Sequence, residues 1–206
     1  GDLLAYVWIK DAKGTYELSP DGTPYTTYKS GEQQTKIGNY NPKATLGWTN
    51  TFRYKGIFLK ALIDGRFGGT MVSGTEMNLA FNGIPEITGK YRDGGWSLGG
   101  VDPNTGSPIT TAINSQQFWR TASGGRYGVG QFFAYDATSF RMRELSLGFD
   151  IPLRSHIIIK NAKISAVARN LFWIYRGSSI VNIPGLGMRK MWFDPDMSFG
   201  GNNLQG

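Results

Sequence analysis

The stretch from Tyr135 to Trp173 constrains this chain more than any other. It reads as two β-strands, Tyr135 to Ile151 and Ala162 to Ile174, joined by the shorter connection Pro152 to Asn161. Apolar and polar residues alternate along both strands, and successive side chains of a strand point to opposite faces. The polar set is not merely small; it includes Arg141, Arg143, Glu144 and Ser146. A sheet with one oily and one charged face fits the wall of a membrane barrel better than the edge of a soluble sandwich. The alternation slips near Arg143-Glu144. Phe140 and Met142 share one parity, whereas Leu145, Leu147, Phe149 and Ile151 take the other. One extra residue in the strand produces such a slip, so a β-bulge is expected near Glu144.

Two earlier segments carry the same pattern. Ala44 to Tyr54 places Leu46, Trp48, Phe52 and Tyr54 on one side, with only Asn50 interrupting the oily face. Lys55-Gly56 then predicts a tight turn, and Ile57 to Phe67 returns with Ile57, Leu59, Ala61, Ile63 and Phe67 opposite Lys60, Asp64 and Arg66. Both are long enough to cross a bilayer at a tilt, which takes roughly 9–11 residues. Leu3 to Ile9 is a further short candidate. Between these segments the connections Lys10–Asn41, Gly68–Phe133 and Tyr175–Gly206 are long, while Lys55-Gly56 and Pro152–Asn161 are short. Outer-membrane barrels show this alternation, with short periplasmic turns and long extracellular loops.

Composition narrows the alternatives. Glycine is plentiful at 29 residues and aromatics reach 14%, a mix that favours turns and strands. No run of about 18 apolar residues occurs, which excludes a transmembrane helix but not a strand-built span. The absence of cysteine rules out disulfides and thiolate chemistry in this chain. The net charge of +7 is spread along the sequence rather than gathered on one face, so no nucleic-acid partner is expected. The chain opens at Gly1-Asp2-Leu3 without a leader and stops on a polar tail, and is expected to be a piece of a longer protein.

Four segments, in order and spaced across nearly the whole chain, resemble one family. They are Gly38-Asn39-Tyr40-Asn41-Pro42; Leu62-Ile63-Asp64-Gly65-Arg66-Phe67-Gly68-Gly69; Tyr135-Asp136-Ala137 through Arg141-Met142-Arg143-Glu144-Leu145-Ser146-Leu147-Gly148; and Ala168-Arg169-Asn170-Leu171-Phe172. Together they resemble the C-terminal barrel region of SusC/RagA-like TonB-dependent transporters of Bacteroidetes outer membranes. Asp194-Pro195-Asp196 and Gly200 to Gly206 look like the loop before that family's last strand. The resemblance implies an all-β fold: antiparallel strands forming part of a plugged outer-membrane barrel of about 22 strands, to which this chain would supply about five. Residues 1–206 would be the C-terminal portion of that barrel, with the plug domain and last strand absent. It also implies import of a nutrient, a glycan or an oligopeptide, with a SusD-like lipoprotein as lid and TonB acting through the plug. Outer-membrane lipid and lipopolysaccharide would surround the wall, and neither enzymatic chemistry nor a cofactor is expected. An open arc leaves rows of unpaired backbone groups, so this segment alone is not expected to form a stable transporter.

The remaining chemistry is sparse. His156, the only histidine, is expected in an exposed turn without orienting partners. Asp194-Pro195-Asp196 reads either as a proline turn or as two carboxylates for a calcium ion. Asp64 with Arg66, and Arg141 with Glu144, are expected as charge pairs inside a barrel. Gly124 to Gly130 is glycine-rich, but no Gly-Lys-Ser or helical pattern follows to make it a phosphate loop. The loop residues Tyr91, Trp96, Trp119, Arg120 and Tyr127 suit stacking against a sugar or clamping a peptide; equally, they suit packing the loop's own small core or meeting a partner lid. Trp48, Tyr54, Tyr135, Phe149, Trp173 and Tyr175 read as an interfacial girdle. Two rival readings remain: a surface carbohydrate-binding β-sandwich or adhesin module, which would bury the Trp48/Phe52 face, and a glycoside hydrolase. The hydrolase needs two facing carboxylates, and the 15 acidic residues show no such pair.

Overall fold

A computed structural model describes residues 1–124, 127–152 and 162–195. The chain divides into two compact units, one formed by Pro42–Gly68 with Ala137–Gly177, the other by the remaining segments. His156, Arg154, Arg126, Asp196 and the Gly200–Gly206 tail lie outside the described residues.

The first unit is a four-stranded antiparallel sheet of β3 (Ala44–Tyr54), β4 (Ile57–Phe67), β9 (Ser139–Ile151) and β10 (Ala162–Arg176), in the order β10-β9-β4-β3. β3 and β4 pair without a shift from Ala44↔Phe67 to Tyr54↔Ile57. Their turn residues Lys55 and Gly56 have φ of 46° and 84°, a left-handed pair whose twist matches that of the flanking strands. Both strand boundaries match the sequence expectation, and β10 extends two residues beyond it.

Register carries one apolar face across all four strands. Trp48 sits opposite Ile63 and Phe52 opposite Leu59, Leu59 meets Leu147, and Phe149 meets Ile164. The expected bulge is present. β4 pairs Leu62 with Glu144 and then Ile63 with Met142, which leaves Arg143 unmatched. Facing β10, the register jumps at the same place, from Arg169↔Glu144 to Phe172↔Met142, with Asn170 at φ 51°. Asparagine tolerates that left-handed conformation better than most residues. The extra residue keeps Met142 and Leu145 on one face despite their odd separation in sequence.

Close packing needs glycine at two points of the sheet. A Cβ at Gly148 would clash with Phe58 Cε1 and Cζ on the ring that is buried against it and capped by Lys163 Nζ 3.7 Å from the ring centroid. A Cβ at Gly65 would stand 2.8 Å from Phe140 Cε1. On the charged face, Arg143 Nη2 donates to Asp64 Oδ2 at 2.6 Å and Arg141 Nη2 lies 3.8 Å from the same oxygen. Glu144 takes Lys60 at 3.3 Å and Arg169 at 3.2 Å. The sequence suggested Asp64 with Arg66 and Arg141 with Glu144. The pairs found here run across strands, where directly opposed side chains stand closer than i, i+2 neighbours along one strand. Among the described residues the sheet is open, with β3 and β10 as its edges; it has four long strands where five had been expected.

The second unit corrects the reading of the long connections. Leu3–Ile9 contributes only β1 (Asp2–Ala5), paired with β2 (Thr35–Asn39) inside what reads as loop. The Gly68–Phe133 connection folds into β5 (Thr70–Val72), α1 (Gly74–Phe81), α2 (Glu86–Gly89), β6 (Gly100–Val101), β7 (Pro108–Ile109), α3 (Ser115–Ala122) and a 3₁₀ turn at Gly130–Phe133. Tyr135 falls in the separate short strand β8 (Ala134–Asp136), paired with β5. The core gathers Trp8, Leu18, Met77, Trp96, Ile113, Phe118, Trp119, Phe132 and Phe133. Its rings meet at 4.4 Å for Trp96–Phe118, 5.2 Å for Phe118–Trp119 and 5.4 Å for Trp8–Phe132. Each such side chain stabilises the fold by about 1.5–3 kcal/mol on burial. The Gly68–Phe133 connection therefore folds around a hydrophobic core that it shares with Trp8, Leu18 and Ile183.

Candidate functional site

The two longer helices of this unit, α1 and α3, begin on side-chain caps. Ser73 Oγ accepts from Glu76 N at 3.1 Å at the start of α1, and Asn114 Oδ1 accepts from Gln116 N at 2.8 Å at the start of α3. Each cap satisfies one of the backbone donors that a helix leaves free at its first turn. α3 buries Ser115, Phe118, Trp119 and Ala122, the i, i+3, i+4, i+7 stripe of a helix with one face in a core. Its Gln116, Gln117 and Arg120 are left exposed.

Between the end of α1, the α2 turn and α3 lies a cavity of about 400 Å³. Ala80, Phe81 and the edge of Trp119 form its apolar wall, while Asn82, Thr88, Arg92, Asn114, Gln116 and Arg120 supply its polar groups. Gly83 completes the rim at φ 69°; a Cβ there would stand 4.0 Å from both Arg92 Nη2 and Thr88 Oγ1. The Arg120 guanidinium carbon is 5.8 Å from the centroid of the Phe81 ring. No acidic residue lines the cavity, and among the described residues neither Arg92 nor Arg120 is ion-paired. Because Asn114 Oδ1 is used as the helix cap, its Nδ2 protons remain to be donated. Trp119 Nε1 is buried and meets no acceptor. A more open depression past Gln117 and Thr121 shares Asn114, Gln116 and Arg120 with the cavity.

The five loop residues singled out from sequence therefore separate. Trp119 and Arg120 meet at the cavity. Trp96 is 2% exposed; it lies in the core and donates from Nε1 to Pro184 O at 3.1 Å. Tyr91 stacks on Trp96 at 5.1 Å and donates to Gly185 O at 3.0 Å. For Trp96 and Trp119, packing a core is the reading that applies, because buried ring faces have no room for a sugar, and the half-buried Tyr91 packs against that core. Tyr127 is half exposed, stacks on Tyr28 at 4.5 Å and does not line the cavity. Arg92, Asn114 and Gln116 were not picked out from sequence. The Asn114–Gln117 pattern, a cap residue followed three positions later by Gln, could have marked Asn114 and Gln116 at a helix start; no local signal marks Arg92.

A second polar cluster is internal. Glu76 accepts from Arg189 Nη1 at 2.6 Å through Oε1 and from the Tyr135 hydroxyl at 2.6 Å through Oε2. The Glu76 and Arg189 side chains are only 6% and 9% exposed. Burial pushes the Glu76 carboxyl above its ordinary value, with Arg189 pulling the other way. Burial also pushes the Tyr135 phenol up. Tyr135, expected in an exposed girdle, is instead a buried hydrogen-bond donor. Among the described residues no group of three potential ligands could hold a metal ion. No protein-family model matches the chain, and no curated protein matches it.

Proposed function

We propose that this chain is part of the wall and loops of an outer-membrane importer, a SusC/RagA-like TonB-dependent transporter taking up a glycan or oligopeptide. The observation that carries this reading is the exposed apolar face of the four-stranded sheet. Trp48 is 46% exposed, Phe52 59%, Leu147 55% and Ile164 67%. Register joins them into one continuous surface, far beyond the scattered apolar residues of an ordinary soluble surface. The opposite face carries cross-strand ion pairs, as a barrel interior does. The strands have 11, 11, 13 and 15 residues, enough to cross a bilayer at a tilt.

The open edges at β3 and β10 call for further strands on either side, because lipid cannot satisfy their backbone groups. In this reading the remaining strands, the plug that TonB pulls and a SusD-like lid come from outside the chain. The part played by these residues is wall, lumen lining and ligand-facing loops, without covalent chemistry. A soluble carbohydrate-binding sandwich would instead bury Trp48 and Phe52 beneath a second sheet.

The test uses the whole protein with single cysteines at Leu46, Trp48, Thr49 and Phe52, since this chain has no cysteine of its own. A spin or fluorescent label at each site is exposed to a lipid-embedded quencher. Quenching at 46, 48 and 52 but not at 49 supports a barrel wall. Protection of all four from lipid refutes it and leaves the soluble binding module.

A further inference from the structure

We infer that the cavity between α1, α2 and α3 is a binding site for a small organic ligand bearing a carboxylate. This deepens the import reading by naming a class of cargo, and so rests on it, but it is tested by binding alone.

Two observations carry the assignment. The polar lining is one-sided: two guanidinium groups, Arg92 and Arg120, face a space with no acidic residue in its wall and have no ion-pair partner among the described residues. An Arg fork matches a carboxylate with two parallel hydrogen bonds, stronger than neutral pairs. The second observation is size. About 400 Å³, walled partly by Ala80, Phe81 and Trp119, suits an organic body rather than a bare ion.

Phosphate is a poorer match than carboxylate. Phosphate sites draw on several free backbone N–H groups at a helix start or nest. Here the Gln116 N–H at the head of α3 already donates to Asn114 Oδ1, at 2.8 Å. A carboxylate needs only the Arg forks and the side-chain amides. Two sources share this chemistry, an acidic sugar and an acidic peptide, and the probes separate them.

The experiment is calorimetric titration of the intact protein with digalacturonate, with the dipeptide Ala-Glu, with the methyl-ester or amide form of each, and with inorganic phosphate. Binding of either carboxylate, at least tenfold tighter than its neutral form, supports the site and names the source. R92Q and R120Q should each weaken that binding about ten- to hundredfold, the worth of one hydrogen bond to a charged group. Both side chains are exposed, so the variants should fold; R120K, which keeps the charge without the fork, should lie between R120Q and wild type. Equal binding of charged and neutral forms, binding of phosphate alone, or no binding of either acid overturns the proposal. Lipid contact at Trp48 and Phe52 is read separately, so failure of this site leaves the membrane reading standing.

Discussion

Arg189→Met should loosen the segment 178–195 in a pH-dependent way. Arg189 reaches Glu76 at 2.6 Å with both side chains over nine-tenths buried. Removing the cation leaves Glu76 with the Tyr135 hydroxyl and no buried counter-charge. Breaking such a pair from one side costs about 3–5 kcal/mol. At a factor of ten per 1.4 kcal/mol, amide exchange in the segment should accelerate by about one hundred- to four thousandfold. Because burial already raises the Glu76 carboxyl above 4.5, its contribution to stability is fully present below that value. The contribution is lost as pH rises through the higher folded-state value. Taking away Arg189, the largest influence holding the carboxyl down, widens that window upward. The deficit of the variant should therefore be small at acid pH, where Glu76 is protonated, and grow as pH rises through its raised folded-state value.

Two companion variants separate the causes. Glu76→Gln keeps an acceptor for Tyr135 but strands a guanidinium that cannot discharge, so its deficit should be large at every pH. The double variant E76Q/R189M buries no charge and should recover most of the loss, as buried pairs replaced on both sides commonly do. Hydrogen exchange followed by mass spectrometry on peptides from Ser178 to Pro195 reads all three. An R189M deficit that is flat with pH, or an acceleration below tenfold, would refute the argument by showing that the pair is effectively solvated.

The sheet and the helices give three further expectations. Trp48→Lys puts a charge on the oily face and should cost about 2–4 kcal/mol if that residue lies near the bilayer midplane, whereas Thr49→Lys on the other face should be near neutral; folded yield in lipid compares them. Gly148→Ala should lower the melting temperature sharply because its Cβ collides with Phe58, and Phe58→Ala in the same chain should restore part of the loss. Ser73→Ala removes the cap on Glu76 N and should destabilise α1 by about 1 kcal/mol, seen as faster exchange over residues 74–81.

Local rules were enough to read the sheet. Period-two alternation marked β3, β4, β9 and β10, the Lys55-Gly56 pair marked their hairpin, and the broken parity at Arg143-Glu144 marked the bulge. Each of these is a relation between residues a few positions apart, so the chain alone determines it. The sequence also determined that one face of those strands is oily and the other charged.

The cavity and the ion pairs were decided elsewhere. Trp96 and Trp119 look alike in sequence as aromatics in a glycine-rich stretch, and both are buried in the core, yet only Trp119 also touches the cavity. Arg92 becomes a ligand candidate only because α3 brings Asn114, Gln116 and Arg120 to it. Glu76 and Arg189 are 113 positions apart, and nothing local to either points to the other. Burial and long-range proximity are properties of the packed chain, since apolar surface is removed from water by whichever segments close over it. For this protein the sequence sets the strands and their two faces, whereas only the tertiary structure decides which loop residues are core and which stay exposed beside the cavity.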